Sequence, residues 1–301
     1  MSLKLIIRRQ HILDSAFAVA GRLAMVTGLV TLLVLIMGLA LDGWTRLTWR
    51  FLTAYPSRFP EGAGILSAWV GTTIIMLVTA ITAVPLGVAA AIYLEEYARK
   101  HWLTDLIEIN IANLAGVPSI VYGLLALGWF VYQFRFGQSI LTAGLTLAIL
   151  ILPIVITSAR EALRSVPTGI REAAFALGAT QWQTVKDHVL PYSIGGILTG
   201  LIIALSRAIG ESAPLITIGA LSFIAFLPHP PWQPQFPYLS FQWLMDPFTV
   251  MPIQMFNWVS RPQEAFHENA AAAGLVLMGM TLTMNALAIY IRTRFRKRIS
   301  W

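Results

Sequence analysis

Residues 23–41 form an apolar run that contains no charged side chain. A helix of about 20 apolar residues is long enough to cross the ~30 Å hydrocarbon core of a bilayer. Further runs of comparable length follow at residues 65–94, 109–134, 136–159, 191–227 and 269–291. Because lipid offers no partner to backbone N–H and C=O groups, each run is expected to satisfy them internally as a helix. The sequence therefore predicts an all-α, multi-pass membrane protein with six transmembrane helices.

The composition agrees with this prediction and excludes several functions. Of the 301 residues, 57% are hydrophobic and 12% are charged, and the mean hydropathy is +0.70. The sequence contains no cysteine, no group of His, Asp and Glu with metal-ligand spacing, and no Gly-Lys dipeptide of a phosphate-binding loop. We therefore predict no catalytic residue, no metal site and no cofactor bound by this chain. If a nucleotide drives the protein, a partner binds it.

The distribution of charge predicts the orientation in the membrane. With the N-terminus inside, the inner segments hold 15 Lys and Arg residues and the outer segments hold 5. Since cytoplasmic loops carry the excess of Lys and Arg, both termini are expected in the cytoplasm. The acidic residues number eight inside and five outside, which leaves the whole net charge of +7 on the inner side. Topology thus explains the basic character of the chain without nucleic-acid binding.

The predicted spans also set the domain organisation. The first run is followed by Asp42-Gly43-Trp44 and lacks a small-x-small cleavage site, so it is expected to remain as an anchor. The expected parts are a cytoplasmic basic leader at 1–22, a six-span domain at 23–291 with an inner polar segment at 160–190 and an outer Pro- and Trp-rich loop at 228–268, and a cytoplasmic basic tail at 292–301.

Arg207 and Glu211 lie four residues apart inside the fifth apolar run. Either charge costs roughly 2.5 to 3.5 kcal/mol at the bilayer centre, so a functional site is the default hypothesis. The guanidinium stays protonated and presents a planar fork of donors to an anion, and Glu211 would neutralise it while the site is empty. The alternative interpretation is a structural ion pair that fixes this span against a neighbour. Either way, the run 191–227 would exceed about 50 Å as one helix, so we expect a break at 210–214.

The inner segment is expected to form a short helix at residues 168–177. Thr168 is a plausible N-cap, and Gly178 stands where a helix end favours a left-handed residue. Such a helix is expected to expose Ala173 and Ala174, small residues that let another protein approach closely. The residues leave a second interpretation equally open, an amphipathic helix lying on the inner leaflet.

The same segment resembles the coupling loop of ABC importer permeases, which docks into an ATPase subunit. The positions that carry the resemblance are Glu172, Ala173, Ala174, Gly178, Leu190 and Pro191, and His188 departs from the pattern where a hydrophobic residue is usual. Further segments are similar to phosphate-uptake permeases of PstA type, and the likeness covers nearly the whole chain. These segments are 51–53, 85–88, 93–97, 116–123, 207–214, 257–262 and 284–288. The family usually has threonine where Ser212 stands, so the hydroxyl is kept.

The resemblance implies an ABC importer permease fold and a non-catalytic permease subunit of an ATP-driven phosphate importer in the bacterial inner membrane. It implies three kinds of partner besides lipid: a homologous second permease of PstC type, a dimer of PstB-type ATPase subunits that binds ATP and Mg, and an extracytoplasmic phosphate-binding protein of PstS type. Arg207, Glu211 and Ser212 are then expected in the substrate pathway. The six positions of the coupling pattern are expected to contact the ATPase.

Two other classes of function remain at this point. A secondary transporter would need its own coupling site and no ATPase dock, and a membrane scaffold would tolerate the loss of Arg207. Molybdate and sulfate permeases share the coupling loop, but they lack the match at 116–123 and 207–214. The outer segments are formally neutral and offer no basic funnel for an anion, which favours capture by a partner protein.

Overall fold

The computed structural model describes residues 3–99, 101–232 and 238–296, and helices account for most of these residues. The helices are α1 (Leu3–Gly43), α2 (Trp49–Thr53), α3 (Leu66–Ile92), α4 (Trp102–Ala115), α5 (Ser119–Ala126), α6 (Ile140–Arg164), α7 (Thr168–Ala176), α8 (Gln181–Thr184), α9 (Leu190–Gly210), α10 (Ala213–Thr217), α11 (Met251–Val259) and α12 (Glu264–Arg296). Within the same residues, β pairing is limited to one isolated bridge between Trp232 and Leu239.

Five helical segments of the described chain are long and apolar enough to cross a membrane, and a bent pair supplies a sixth span. The bent pair joins α4 to the helical stretch Ser119–Gln133 at an angle of 105°. The third span, expected within 109–134, is therefore a broken one, and it begins earlier, at Trp102. Pro118 explains the bend, because its ring removes a backbone donor and disfavours the helical conformation at the preceding residue.

Helices α3, α6 and α9 pack closely through small residues. A Cβ on Gly196 of α9 would lie 2.7 Å from the Cβ of Ala162, and one on Gly200 would lie 2.1 Å from the Oγ of Ser158. These two glycines form a G-x-x-x-G pattern, and here it lets α9 approach α6 at backbone distance. Helix α6 lies at the centre of the bundle, because 67% of its most apolar 18-residue stretch is buried.

Helix α1 lies apart from this core. The most apolar stretch of this helix is not buried at all. Residues 3–22, in the part expected as the leader, belong to the same helix. The helix joins the fold at its outer end, where a Cβ on Gly43 would lie 2.5 Å from the backbone nitrogen of Ala272 in α12. The last part of the expected tail, 297–301, lies outside the described residues.

The outer loop contains a helix that the sequence patterns did not reveal. Helix α11 occupies the middle of the described part of 228–268, and α12 starts at Glu264, ahead of the expected start at 269. The chain just before α11 crosses the outer end of α3, where the Met251 backbone N–H donates to the Thr72 hydroxyl at 2.9 Å. The outer mouth of the bundle is thus fastened to α3.

Candidate functional site

Helix α9 ends at the break that the sequence predicted. Its last residue is Gly210, Glu211 is extended at φ −77° and ψ 121°, and Ser212 is the N-cap of α10. Pro214 stands near the start of α10, where its missing N–H costs least, whereas inside a continuous helix it would break the ladder. The break leaves Arg207 on the last turn of α9 and Glu211 just beyond it.

The ion pair between Arg207 and Glu211 involves one of the three nitrogens of the guanidinium. Arg207 Nε donates to Glu211 Oε1 at 3.2 Å, and the exposed fractions of the two side chains are 43% and 19%. Among the residues that the structure describes, neither terminal nitrogen of Arg207 has a hydrogen-bond partner. Most donors of this guanidinium therefore remain available to an anion.

Arg171 of α7 shows what a structural arginine looks like in the same chain. Its Nη1 donates to the Val166 carbonyl at 2.8 Å, and its Nη2 donates to the Leu163 carbonyl at 3.0 Å and to Glu96 Oε1 at 2.7 Å. All three of its nitrogens have partners, because Nε also faces the Glu96 carboxylate at 3.3 Å. Arg207 differs from it by the two terminal nitrogens that the fold leaves open.

The second broken span lies directly beside the first. A Cβ on Gly123 of α5 would fall 2.7 Å from the Pro214 Cα and 2.8 Å from the Thr217 Cβ. Tyr122 donates its phenol to the Leu114 carbonyl of α4 at 2.8 Å. The short helices that follow the two breaks, α5 and α10, thus pack directly on each other within the span region, and such broken helices are typical of transporter binding sites.

The predicted site included the break after α9 and missed the one before α5. The signal was present in Gly116-Val117-Pro118-Ser119, where a proline interrupts an apolar run. A proline at this place is equally compatible with ordinary packing of a kinked helix, and neither the angle of the bend nor the neighbouring break can be read from the local pattern.

A line of polar contacts fixes α9 against α12. Ser206 Oγ donates to Asn285 Oδ1 at 2.7 Å, and one heptad away Arg292 Nη1 donates to Thr199 Oγ1 at 2.9 Å. The common spacing along both antiparallel helices locks their register. Asn285 was missed as a site residue, although it lies in the 284–288 segment of the resemblance.

The face of α9 that carries Arg207 is not covered by the rest of the described chain. Ile203, one turn earlier on this face, is 62% exposed, and Gly210 beyond Arg207 is also exposed. A polar group at this depth is stable only against protein or water, so the open face requires a second membrane subunit or an aqueous path.

The inner segment confirms the predicted helix and corrects two details. Helix α7 has Pro167 at its N-cap, so Thr168 is the first helical residue and its expected capping role is wrong. Gly178 follows the helix at φ +85°, as the sequence indicated. Glu172 and Ala173 are exposed, whereas Ala174 is buried at 5%, because adjacent residues on a helix point about 100° apart.

An open, mainly apolar cavity of about 390 Å³ separates α7 from the start of α9. Its lining residues include Ala173, Leu177, His188, Pro191 and Tyr192. Leu190 is half-buried behind them, at the first residue of α9. Of the six positions of the coupling pattern, Ala173, Ala174 and Pro191 line this cavity, whereas Glu172, Gly178 and Leu190 lie outside its lining.

Residues 83–301 match the family described as the binding-protein-dependent transport system inner membrane component. This chain belongs to that family. It is therefore a multi-pass permease of the bacterial inner membrane, and permease subunits of ABC importers work with a binding protein and a separate ATPase. The permease itself is not an enzyme.

Individual relatives cover most of this permease. The phosphate transport system permease protein PstA of Yersinia pestis is 33% identical over 86% of this chain and 80% of its own length. The probable ABC transporter permease protein YqgI of Bacillus subtilis is 31% identical over 86% of this chain and 88% of its own. The PstA 1 protein of Mycobacterium tuberculosis H37Rv is 29% identical over 94% of this chain and 89% of its own.

Solved structures establish the fold of this permease. An inward-facing structure of the MetNI methionine ABC transporter aligns over 77% of this chain and 94% of its own, with a TM-score of 0.54 and 16% identity. An amino acid ABC transporter aligns over 76% and 93%, with a TM-score of 0.53 and 19% identity. The architecture is therefore that of ABC importer permeases.

Proposed function

We propose that this permease carries inorganic phosphate inward as one of two different membrane subunits of an ATP-driven importer. The observation that supports this most directly is Arg207, whose terminal nitrogens are open at the junction of two broken spans. Phosphate presents several oxygen acceptors, and the planar fork of a guanidinium can donate to two of them at once. The names of the Yersinia and Mycobacterium relatives point to the same substrate.

The substrate pathway in this proposal consists of Arg207, Glu211 and Ser212. While the site is empty, Glu211 neutralises Arg207 at 3.2 Å. An entering phosphate binds the open nitrogens and competes with the carboxylate for the charge, while the Ser212 hydroxyl offers a further donor. Because phosphate and Glu211 compete for the same positive charge, the carboxylate weakens phosphate binding and favours release of the anion. The site thus binds the anion without retaining it.

The ATPase dock in this proposal is formed by the inner segment. The residues assigned to it are Glu172, Ala173, Ala174, Gly178, Leu190 and Pro191, with Ala174 acting from inside the helix by fixing its packing. Helix α9 then runs without interruption from Leu190 to Arg207, about 26 Å at 1.5 Å per residue. Movement of the dock therefore reaches the anion site through one helix.

The proposed assembly contains a PstC-type second permease on the open face of α9 and two PstB-type ATPase subunits inside, which hold ATP and Mg. A PstS-type phosphate-binding protein delivers the anion from outside, which suits the formally neutral outer segments. Both termini lie in the cytoplasm, with the six-span domain at 23–291 between the basic leader and tail.

Uptake by the reconstituted complex tests this function. Proteoliposomes holding both permeases and the ATPase, supplied with binding protein, are expected to take up radiolabelled phosphate only with ATP. Arsenate is expected to compete, and sulfate and molybdate are not. Arg207→Ala is expected to abolish uptake while the complex assembles and hydrolyses ATP, and Arg50→Ala, an exposed outer arginine, serves as control. Normal uptake by Arg207→Ala, or uptake without ATP, would contradict the proposal.

A further inference from the structure

The inner end of α3 carries two consecutive glutamates that contact different helices. Glu95 and Glu96 lie in a single π-helical turn, Tyr93–Tyr97, that continues α3. Glu95 accepts from Arg164 Nε of α6 at 2.9 Å and faces Arg160 Nε at 3.5 Å. Glu96 points instead to Arg171 of α7 at 2.7 Å. The end of α3 therefore joins the core helix α6 and the inner helix α7.

The contact between Glu96 and Arg171 is well enclosed for charged groups on an inner surface. The exposed fractions of the two side chains are 8% and 19%. Gln181 of α8 adds a hydrogen bond from its side-chain amide to the Glu96 backbone carbonyl. Both helices of the inner segment are thus fastened to one residue of α3.

Little else holds α7 in place. Ala174 is its one buried residue and Ile170 is half-buried against the core, so apolar packing of this short helix rests on two side chains. Arg171, in contrast, reaches the end of α6 through the Leu163 and Val166 carbonyls and the end of α3 through Glu96. The direction of α7 therefore depends on this arginine more than on any apolar contact of the helix.

Helix α3 leads from this contact to the outer mouth. At its other end, the Thr72 hydroxyl accepts the Met251 N–H at 2.9 Å, and a Cβ on Gly71 would lie 2.2 Å from the Thr249 carbonyl oxygen. Along its length, α3 packs against α6, with Gly87 directly on Val155. A displacement of its inner end would thus be felt at the segment before α11.

We propose that Glu96 and Arg171 form a coupling clamp that transmits movement of α7 to α3 and so to the outer mouth. The proposal rests on the proposed function only in that α7 receives the ATPase. It adds a second route to the one through α9, which is continuous with the dock. Glu96 and Arg171 are positioning residues, and neither contacts the transported anion.

A clamp and a simple brace predict different behaviour when both charges are removed. Replacing a buried ion pair by neutral residues is often harmless to stability, whereas removing one partner leaves an unpaired charge. Glu96→Gln with Arg171→Gln therefore removes the connection and avoids an unpaired buried charge. If the pair only stabilises the fold, a complex that assembles with this change keeps its coupling. If the pair transmits movement, the coupling is lost.

The measurement is ATPase activity of the reconstituted complex with and without loaded binding protein, together with uptake of radiolabelled phosphate. The double Gln variant is expected to assemble with its ATPase while stimulation by the binding protein falls about tenfold, the usual size of a coupling between sites. Glu161→Gln removes a carboxylate that is 74% exposed on the same surface and serves as the matched control.

Two results would overturn the clamp. One is wild-type stimulation in the double Gln variant, and the other is failure of that variant to assemble, which would make the pair a structural brace. The stimulation ratio does not depend on which solute is carried. If the wild-type complex takes up no phosphate, the proposed substrate is wrong, and the clamp is still judged by its own ratio.

Discussion

Gly123 of α5 lies so close to Pro214 of α10 that a Cβ on the glycine would fall 2.7 Å from the proline Cα. Because the neighbouring atoms are backbone atoms, no side-chain rotation relieves this contact. The two broken spans therefore touch with no room between them, and the geometry around Arg207 depends on a residue without a side chain.

Gly123→Ala is expected to separate the two breaks and to lower phosphate uptake by at least about tenfold. An extra methyl in a packed interior typically costs ~1–3 kcal/mol through displacement of its neighbours. The measurement is initial uptake by the reconstituted complex at equal protein content. Gly128→Ala is the control, because a Cβ at Gly128 meets no atom within 4 Å. Equal uptake by both variants would mean that the contact does not shape the pathway.

Glu211→Gln is expected to slow release of the anion. The substitution removes the carboxylate that competes for Arg207 at 3.2 Å, so phosphate is bound more strongly and leaves more slowly. Maximal uptake is expected to fall several-fold, and Glu211→Asp is expected to retain part of it. Glu264→Gln, at an exposed outer carboxylate, controls for loss of charge. An unchanged maximal rate would exclude this role for Glu211.

The inner segment offers a test of the ATPase dock. Gly178 has φ +85°, and no atom lies within 4 Å of a Cβ placed there, so Gly178→Ala acts through backbone strain of about 1 kcal/mol and not through a clash. Gly178→Asp and Glu172→Lys are expected to uncouple ATP hydrolysis from uptake. Gly169→Ala is the control, because Gly169 lies on α7 and a Cβ placed there also meets no atom within 4 Å. Copurification of the ATPase with full coupling in both charged variants would refute the dock.

The sequence predicted those features that depend on local chemistry. The break at 210–214 followed from a run too long for one bilayer crossing with Pro214 in its middle, and the left-handed Gly178 followed from its place after an apolar helix. Both outcomes depend on the preferences of the residues themselves. The six-span architecture likewise follows from the length of the apolar runs.

Other features depend on contacts between distant residues and were not predictable in this way. Beyond the bend at Pro118, Gly123 contacts Pro214 of a different span. The Glu96–Arg171 pair likewise joins residues that are 75 positions apart in the sequence. Thr168 carries a good capping side chain, but Pro167 already holds the extended N-cap conformation at ψ 137°. In each case a tertiary contact or a neighbouring residue decided between locally acceptable alternatives.

Asn285→Ala tests the contact that orients the last turns of α9. It removes the acceptor of the Ser206 hydroxyl, and such interhelical bonds in membranes contribute about 0.6 kcal/mol on average and up to about 1.7. We expect a small loss of thermal stability and a larger, several-fold loss of uptake, because Ser206 precedes Arg207 on the same turn. Thr283→Ala is the control, since Thr283 bonds only to the Gly279 carbonyl of its own helix. If uptake falls no further than in Thr283→Ala at equal stability, Asn285 only packs α12 and does not position the arginine.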